Sequence, residues 1–165
     1  MRQARIEAYS DLLLDWSLGV QPGWQVLVAT TAEARPLAEA LSRGLAQRGA
    51  WALPRVQFGG HYPLDLAWTD AAGDRADGFA PLEREVVARV DGVILVLAPE
   101  DPPGDEAVAP ETRRALRAQL TALRARGREG TVAEVRCDYP TPWFARRAGL
   151  SPEAYEDALL SLIHI

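Results

Sequence analysis

The sequence predicts an α/β fold, a three-layer sandwich in which a mostly parallel sheet of about four strands is flanked by helices. Three observations carry that prediction. Amphipathic stretches with helical spacing alternate with short apolar runs along the 165 residues. The connections between most of them are short, which favours right-handed crossovers between neighbouring parallel strands. The most continuous apolar run, "VILVLA" at residues 93–98, lacks the alternation of a half-wetted strand and suits a central strand buried on both faces.

Taken in order, residues 2–18 place Ile6, Tyr9, Leu13 and Trp16 at helical spacing, giving one apolar stripe that Gly19 ends. "VQPG" at residues 20–23 is a turn, and "QVLVAT" at 25–30 is a short buried strand. Residues 34–48 set Leu37, Leu41 and Leu45 on one side of a helix, with Gly49 just past its end, where a left-handed cap costs little. "WALPRVQF" at 51–58 is strand-forming, but Pro54 removes a backbone donor and assigns it to an edge or a bulge. Residues 59–81 show no steady period and read as a long connection. A short helix follows at 82–90, then the central strand, then a Pro- and acid-rich loop at 99–110. Residues 111–126 align Leu116, Leu120 and Leu123 on a helix, and "TVAEVR" at 131–136 is the fourth strand. Thr141-Pro142 and Ser151-Pro152 each put a capping hydroxyl before a proline at the first helical position, so two helices begin there.

Composition narrows the function classes. All eighteen basic residues are arginine, lysine and asparagine are absent, and the net charge is −5. That balance argues against general affinity for nucleic acid or an anionic membrane, both of which need a concentrated positive field. No apolar run approaches the roughly 20 residues that span a bilayer. Cys137 is the single cysteine and cannot form an intramolecular disulfide, and no signal peptide precedes the first amphipathic segment, so the expected setting is cytoplasmic.

Candidate chemistry is sparse. Neither G-x-G-x-x-G nor G-x-x-x-x-G-K occurs, and the loop after the first strand, "TTAEARP", has no glycine to approach a phosphate. His61 lies near Asp65 in "GGHYPLD", an isolated pair that fits a polar loop better than a general base. Cys137, at the end of the fourth strand, would need a histidine as base, and the chain offers only His61 and His164; a buried small hydrophobe is the better reading. Glu100, Asp101, Asp105 and Glu106 could gather a hard cation, yet their alternation with prolines fits a solvated loop equally. Arg113, Arg117, Arg124 and Arg128 line one helix flank, where a solvated face is the default over an anion site. No catalytic or metal residue is assigned, and the substrate-binding residues stay unknown.

Several segments, read together, carry a resemblance. They are "YSDLLLDWSLGVQPGWQVLV" at residues 9–28, "PLAEAL" at 36–41 with "RGA" at 48–50, "DGVILVLAPEDP" at 91–102, "VAPE" at 108–111 and "YPTPWFARRAGLSPEAYEDALL" at 139–160. In order and spacing they resemble the N-terminal part of the thermophilic aminopeptidase family, the aminopeptidase T-like metallo-exopeptidases. The departures are Asp101 in "PEDP", where asparagine is common, and the stretch 59–81, which shows no family motif. The resemblance implies a non-catalytic α/β domain beside a C-terminal domain that holds two divalent metals, of zinc or cobalt type, in a homodimer acting on peptides. The family's Glu, His, Tyr and Asp ligands have no counterpart in this chain, so by itself it should be inactive. The other reading is a stand-alone flavodoxin-like ligand-binding or interaction module, its ligand at the strand ends near Thr30, Pro99 and Cys137. A third, a small cysteine hydrolase at Cys137, requires a thiolate at neutral pH.

The last residues stand apart. Isoleucine occurs at Ile6 and Ile94, then twice in the final three residues, Ile163 to Ile165 around His164. "LSLIHI" at 160–165 looks like the in-frame translation of a transposase end used in sequencing libraries, and it falls where the last helix has no stop signal. The expected organisation is therefore an N-terminal domain at residues 1–159 followed by an artefactual tail at 160–165.

Overall fold

The structure, a computed structural model, describes residues 3–58, 81–100 and 121–161. All but the last residue of the expected connection over 59–81, most of the loop at 99–110, the first part of the helix at 111–126 and residues 162–165 of the expected tail at 160–165 lie outside them. Four strands are described: β1 (Gln25–Thr31), β2 (Trp51–Gln57), β3 (Gly92–Leu97) and β4 (Ala133–Asp138). They form one sheet in the order β2-β1-β3-β4, and every pairing is parallel. Among the described residues six α-helices accompany them: α1 (Gln3–Asp11), α2 (Arg35–Gln47), α3 (Pro81–Arg89), α4 (Thr121–Arg128), α5 (Pro142–Ala148) and α6 (Pro152–Ser161). The predicted α/β three-layer sandwich is what the chain adopts.

The strand order explains the layers. From β1 the chain moves one way to β2 and afterwards the other way to β3 and β4, so crossovers of one hand must place their helices on opposite faces. Apolar packing follows that rule. One face gathers Val26, Val28, Ile94, Val96 and Cys137 of the sheet with Ile6, Leu13 and Leu14, with Leu37, Leu41 and Leu45 of α2, and with Leu160 of α6. The other face packs Ala29, Val93 and Leu95 against Val87 of α3, Val90 just past its end, and Val132. Within β3 the first five residues are all buried, the pattern of a strand covered on both sides. β2 is at the edge of the described sheet, and Pro54 sits opposite Val28 in its middle, as its missing donor requires.

Helix ends follow their sequence signals. Gly49 takes φ +70° after α2, and Gly19 takes φ +66° after the first helical segment. Thr141 Oγ1 accepts from the backbone N–H of Phe144 at 3.4 Å, and Ser151 Oγ accepts from that of Ala154 at 3.1 Å. Arg126, which the sequence offered no reason to single out, donates to the carbonyls of Val87, Val90 and Thr131 at 2.7, 3.0 and 2.9 Å, tying α4 to the end of α3 and the start of β4.

One expectation needs correction. Trp16 does not lie on the apolar stripe of the first helix but is 86% exposed. Residues Leu12–Leu18 form a π-helical continuation of α1, closed by Gly19 and Val20 N–H groups that both reach back to the Leu14 carbonyl. An i→i+5 ladder is wider than an α-turn, so the phase set by Ile6, Tyr9 and Leu13 slips: Leu14 and Leu18 turn inward, and Trp16 turns out.

Candidate functional site

In a doubly wound sheet, ligands bind outside the carboxyl ends of the strands at the point where the strand order reverses, here between β1 and β3. The two strands pair only as far as Ala29 and Leu95. Past that point Thr30 Oγ1 donates to the Val96 carbonyl at 3.2 Å, and Thr31 Oγ1 donates to the Ala98 carbonyl. Both threonines are fully buried. Their hydroxyls close the gap that a ligand would enter, and they satisfy carbonyls that leave the ladder as the strands diverge. Gln57, opposite Thr31 at the end of β2, is also buried, and its Oε1 has no hydrogen-bond partner. The sequence reading passed it over because a glutamine closing an edge strand looks solvated.

Cys137 ends up in the core beside Tyr9 and Tyr139. Burial pushes its thiol up to about 12, with the Asp138 carboxylate adding to the effect, while a hydrogen bond with Tyr9 works the other way. Tyr9 in turn donates its hydroxyl to the Asp138 carbonyl at 3.0 Å, and burial raises its own pKa far above the ordinary phenol range. Burial likewise raises the half-buried Asp138 carboxyl. The thiol and the Tyr9 phenol are thus held in their neutral forms, the reverse of what nucleophilic catalysis needs. Among the described residues no histidine accompanies the thiol. The geometry supports the buried-hydrophobe reading of Cys137 over the hydrolase.

The remaining sequence candidates divide simply. Glu100 is partly exposed at the end of the segment that follows β3, and Arg124 and Arg128 are exposed on α4. His61, Asp65, Asp101, Asp105, Glu106, Arg113, Arg117 and His164 lie outside the described residues. Among the described residues no group of three or more His, Cys, Asp or Glu is placed to hold a metal ion. No described helix is long and apolar enough to cross a membrane.

A groove of about 680 Å³ lies elsewhere, between the first helical segment and α6, lined by Tyr9, Leu12, Trp16 and Leu160 with Arg5 and Asp157 among the polar residues on its sides. Arg5 bridges to Glu156 and Asp157 of α6 at 3.1 and 2.6 Å. On the α2 side, Arg48 grips Asp15 with two bonds of 2.6 Å, reaches Asp11 at 2.9 Å and donates to the Gly44 carbonyl at 3.0 Å. Its guanidinium holds the Asp15 carboxyl below the ordinary value through those hydrogen bonds. The groove walls are thus fixed from both sides.

Neither a protein-family profile nor a curated protein matches the sequence. Among solved structures, that of wild-type AmpT from Thermus thermophilus is similar, with a TM-score of 0.61 at 22% identity over 95% of this chain and 42% of that one. The chain spans less than half the length of that structure, and at this identity the likeness is one of fold. The CurK enoyl reductase structure aligns over 92% of this chain and 48% of its own at 15% identity, with a TM-score of 0.37, too low to carry an argument.

Proposed function

We propose that this chain is the N-terminal, non-catalytic α/β domain of a metal-dependent aminopeptidase, a hydrolase that releases N-terminal amino acids from peptides. The observation that carries the reading is that the AmpT fold runs over 95% of the chain while the chain accounts for only 42% of that protein. The sequence segments that resemble aminopeptidase T fall in order along that fold, with "QVLV" in β1, "PLAEAL" in α2, "GVILVL" in β3 and residues 139–160 over α5 and α6.

The described residues do not fit a metal centre. Of the carboxylates on the first helical segment, Asp11 and Asp15 are committed to Arg48 and Glu7 lies near Arg43, and the Cys137 thiol stays protonated. The proposal therefore assigns the two divalent metals to polypeptide beyond these residues, where they would supply Lewis acidity and an activated water. This chain's own contribution is a rigid wall, fixed by the two-faced core and by the Arg5 and Arg48 clamps.

The alternative, a ligand seated at the strand ends, meets a chemical obstacle at Thr30 and Thr31, whose hydroxyls are already donated to the Val96 and Ala98 carbonyls. The test is direct. The purified 165-residue chain, supplied with zinc or cobalt, should release no chromophore from aminoacyl p-nitroanilides. Turnover that a chelator abolishes would overturn the assignment.

A further inference from the structure

We infer that residues Leu12–Leu18 are a conformational switch with two helical phases, and that Trp16 is a lid which one phase swings clear of the groove and the other lays into it. The switch stands apart from the peptidase assignment. Sequence and structure disagree over this one segment. At α-helical spacing Ile6, Tyr9, Leu13 and Trp16 form a continuous stripe, yet the structure buries the first three and exposes Trp16. The π-helical turn begins at Leu12, and each of its residues advances less about the axis than the ~100° of an α-helix. The lag grows along the segment. It brings Leu14 and Leu18 onto the core side and carries Trp16 past it.

The second phase uses the same residues. With Leu12–Leu18 wound as an α-helix, Trp16 falls one turn beyond Leu12 and two turns beyond Tyr9 on the same face. Those two residues, with Arg5 and Ala8, are part of the wall that the first helical segment gives the groove, which offers about 680 Å³ of open space. The indole would fill part of that space while Leu14 and Leu18 rotate off the core. The exchange is nearly even in apolar surface, because a buried aromatic side chain covers roughly 150–250 Å² and two leucines together cover an area of the same order. Contacts with α2 and its C-terminal end hold the π phase. Arg48 grips Asp15 with two bonds of 2.6 Å, and Gly44 leaves the room that Leu14 occupies, since a Cβ there would come within 2.6 Å of Leu14 Cδ1. Two leucines and a surface clamp set against one indole make a two-state element with a small gap, in which Trp16 opens and closes the groove.

The experiment is fluorine NMR of the 165-residue chain carrying fluorotryptophan, with the Trp16 resonance identified by its loss in Trp16→Phe. Trp16 should show microsecond-to-millisecond exchange in relaxation dispersion, the range of helix register shifts. Asp15→Asn, which loosens the clamp at the surface, should raise the population of the second phase about two- to fivefold. Leu18→Ala, which removes apolar burial from the π phase alone, should raise it at least about tenfold and weaken the broadening of the Trp16 resonance by a dissolved neutral paramagnetic chelate. That protection separates a switch from a fraying helix, in which loss of Leu18 leaves Trp16 as open to the chelate as before. Flat dispersion at Trp16 in all three proteins, or a folded Leu18→Ala chain whose Trp16 is broadened as strongly as in the wild type, overturns the inference. Where Leu18→Ala does not fold, an Asp15→Asn population equal to that of the wild type overturns it.

Discussion

At the scale of single residues the chemistry is governed by burial. Cys137 has an ordinary value of 9.0, and burial lifts it to about 12. Because the folded value is the higher one, the stability held by the neutral thiol is fully present below pH 9 and is lost as pH rises toward 12. Tyr9, raised in the same direction, adds to the slope. The wild-type melting temperature should therefore fall steeply above pH 9, and Cys137→Ala should fall less steeply over the same interval; parallel curves would show that the thiol carries none of the dependence. Iodoacetamide should modify native Cys137 at least about a hundredfold more slowly than the unfolded chain at neutral pH, because thiolate is the reacting form. Thr31→Val should cost roughly 1–3 kcal/mol in denaturant unfolding by leaving the Ala98 carbonyl without its donor. The sequence identified Cys137 as a core residue because a lone cysteine without an adjacent base has no chemistry to do. It could not identify Arg126 or Gln57, whose roles depend on carbonyls and neighbours brought in from distant segments.

Elements were legible where local physics decides them. The caps at Thr141 and Ser151, the stops at Gly19 and Gly49 and the edge position of β2 follow from hydroxyls, glycine and proline acting within a few residues, and all four strands are found within about two residues of their expected bounds. The first helix was misread at its second half, because an apolar stripe at a period of 3.6 residues contains no sign of an i→i+5 turn. The segment packs closely on α2. Ser10 and Leu14 press against α2 at Gly44, where an added Cβ would come within 2.6 Å of Leu14 Cδ1 and 3.3 Å of Ser10 Oγ. Gly44→Leu should then destabilise the protein by about 1–3 kcal/mol, measured by urea unfolding, through overpacking of this crossing. Thr141→Ala should cost about 0.5–1 kcal/mol, the low end for a cap, since its hydrogen bond is 3.4 Å long. A loss above that range would mean that the buried Thr141 side chain contributes packing as well.

For the whole molecule, the two-sided core and the order β2-β1-β3-β4 account for a domain that holds together around its sheet, and its switch point is sealed by threonines. The likeness to AmpT, over 95% of this chain and 42% of that one, is one of fold, and the place in a larger peptidase proposed above rests on it. The most direct measurement is the nucleotide sequence of the source locus across codon 160, read from unfragmented DNA. The account predicts a frame that runs past Leu160 without "SLIHI" and into a region of clustered Glu, His and Asp codons. Native DNA that encodes "LSLIHI" and then a stop codon would contradict it.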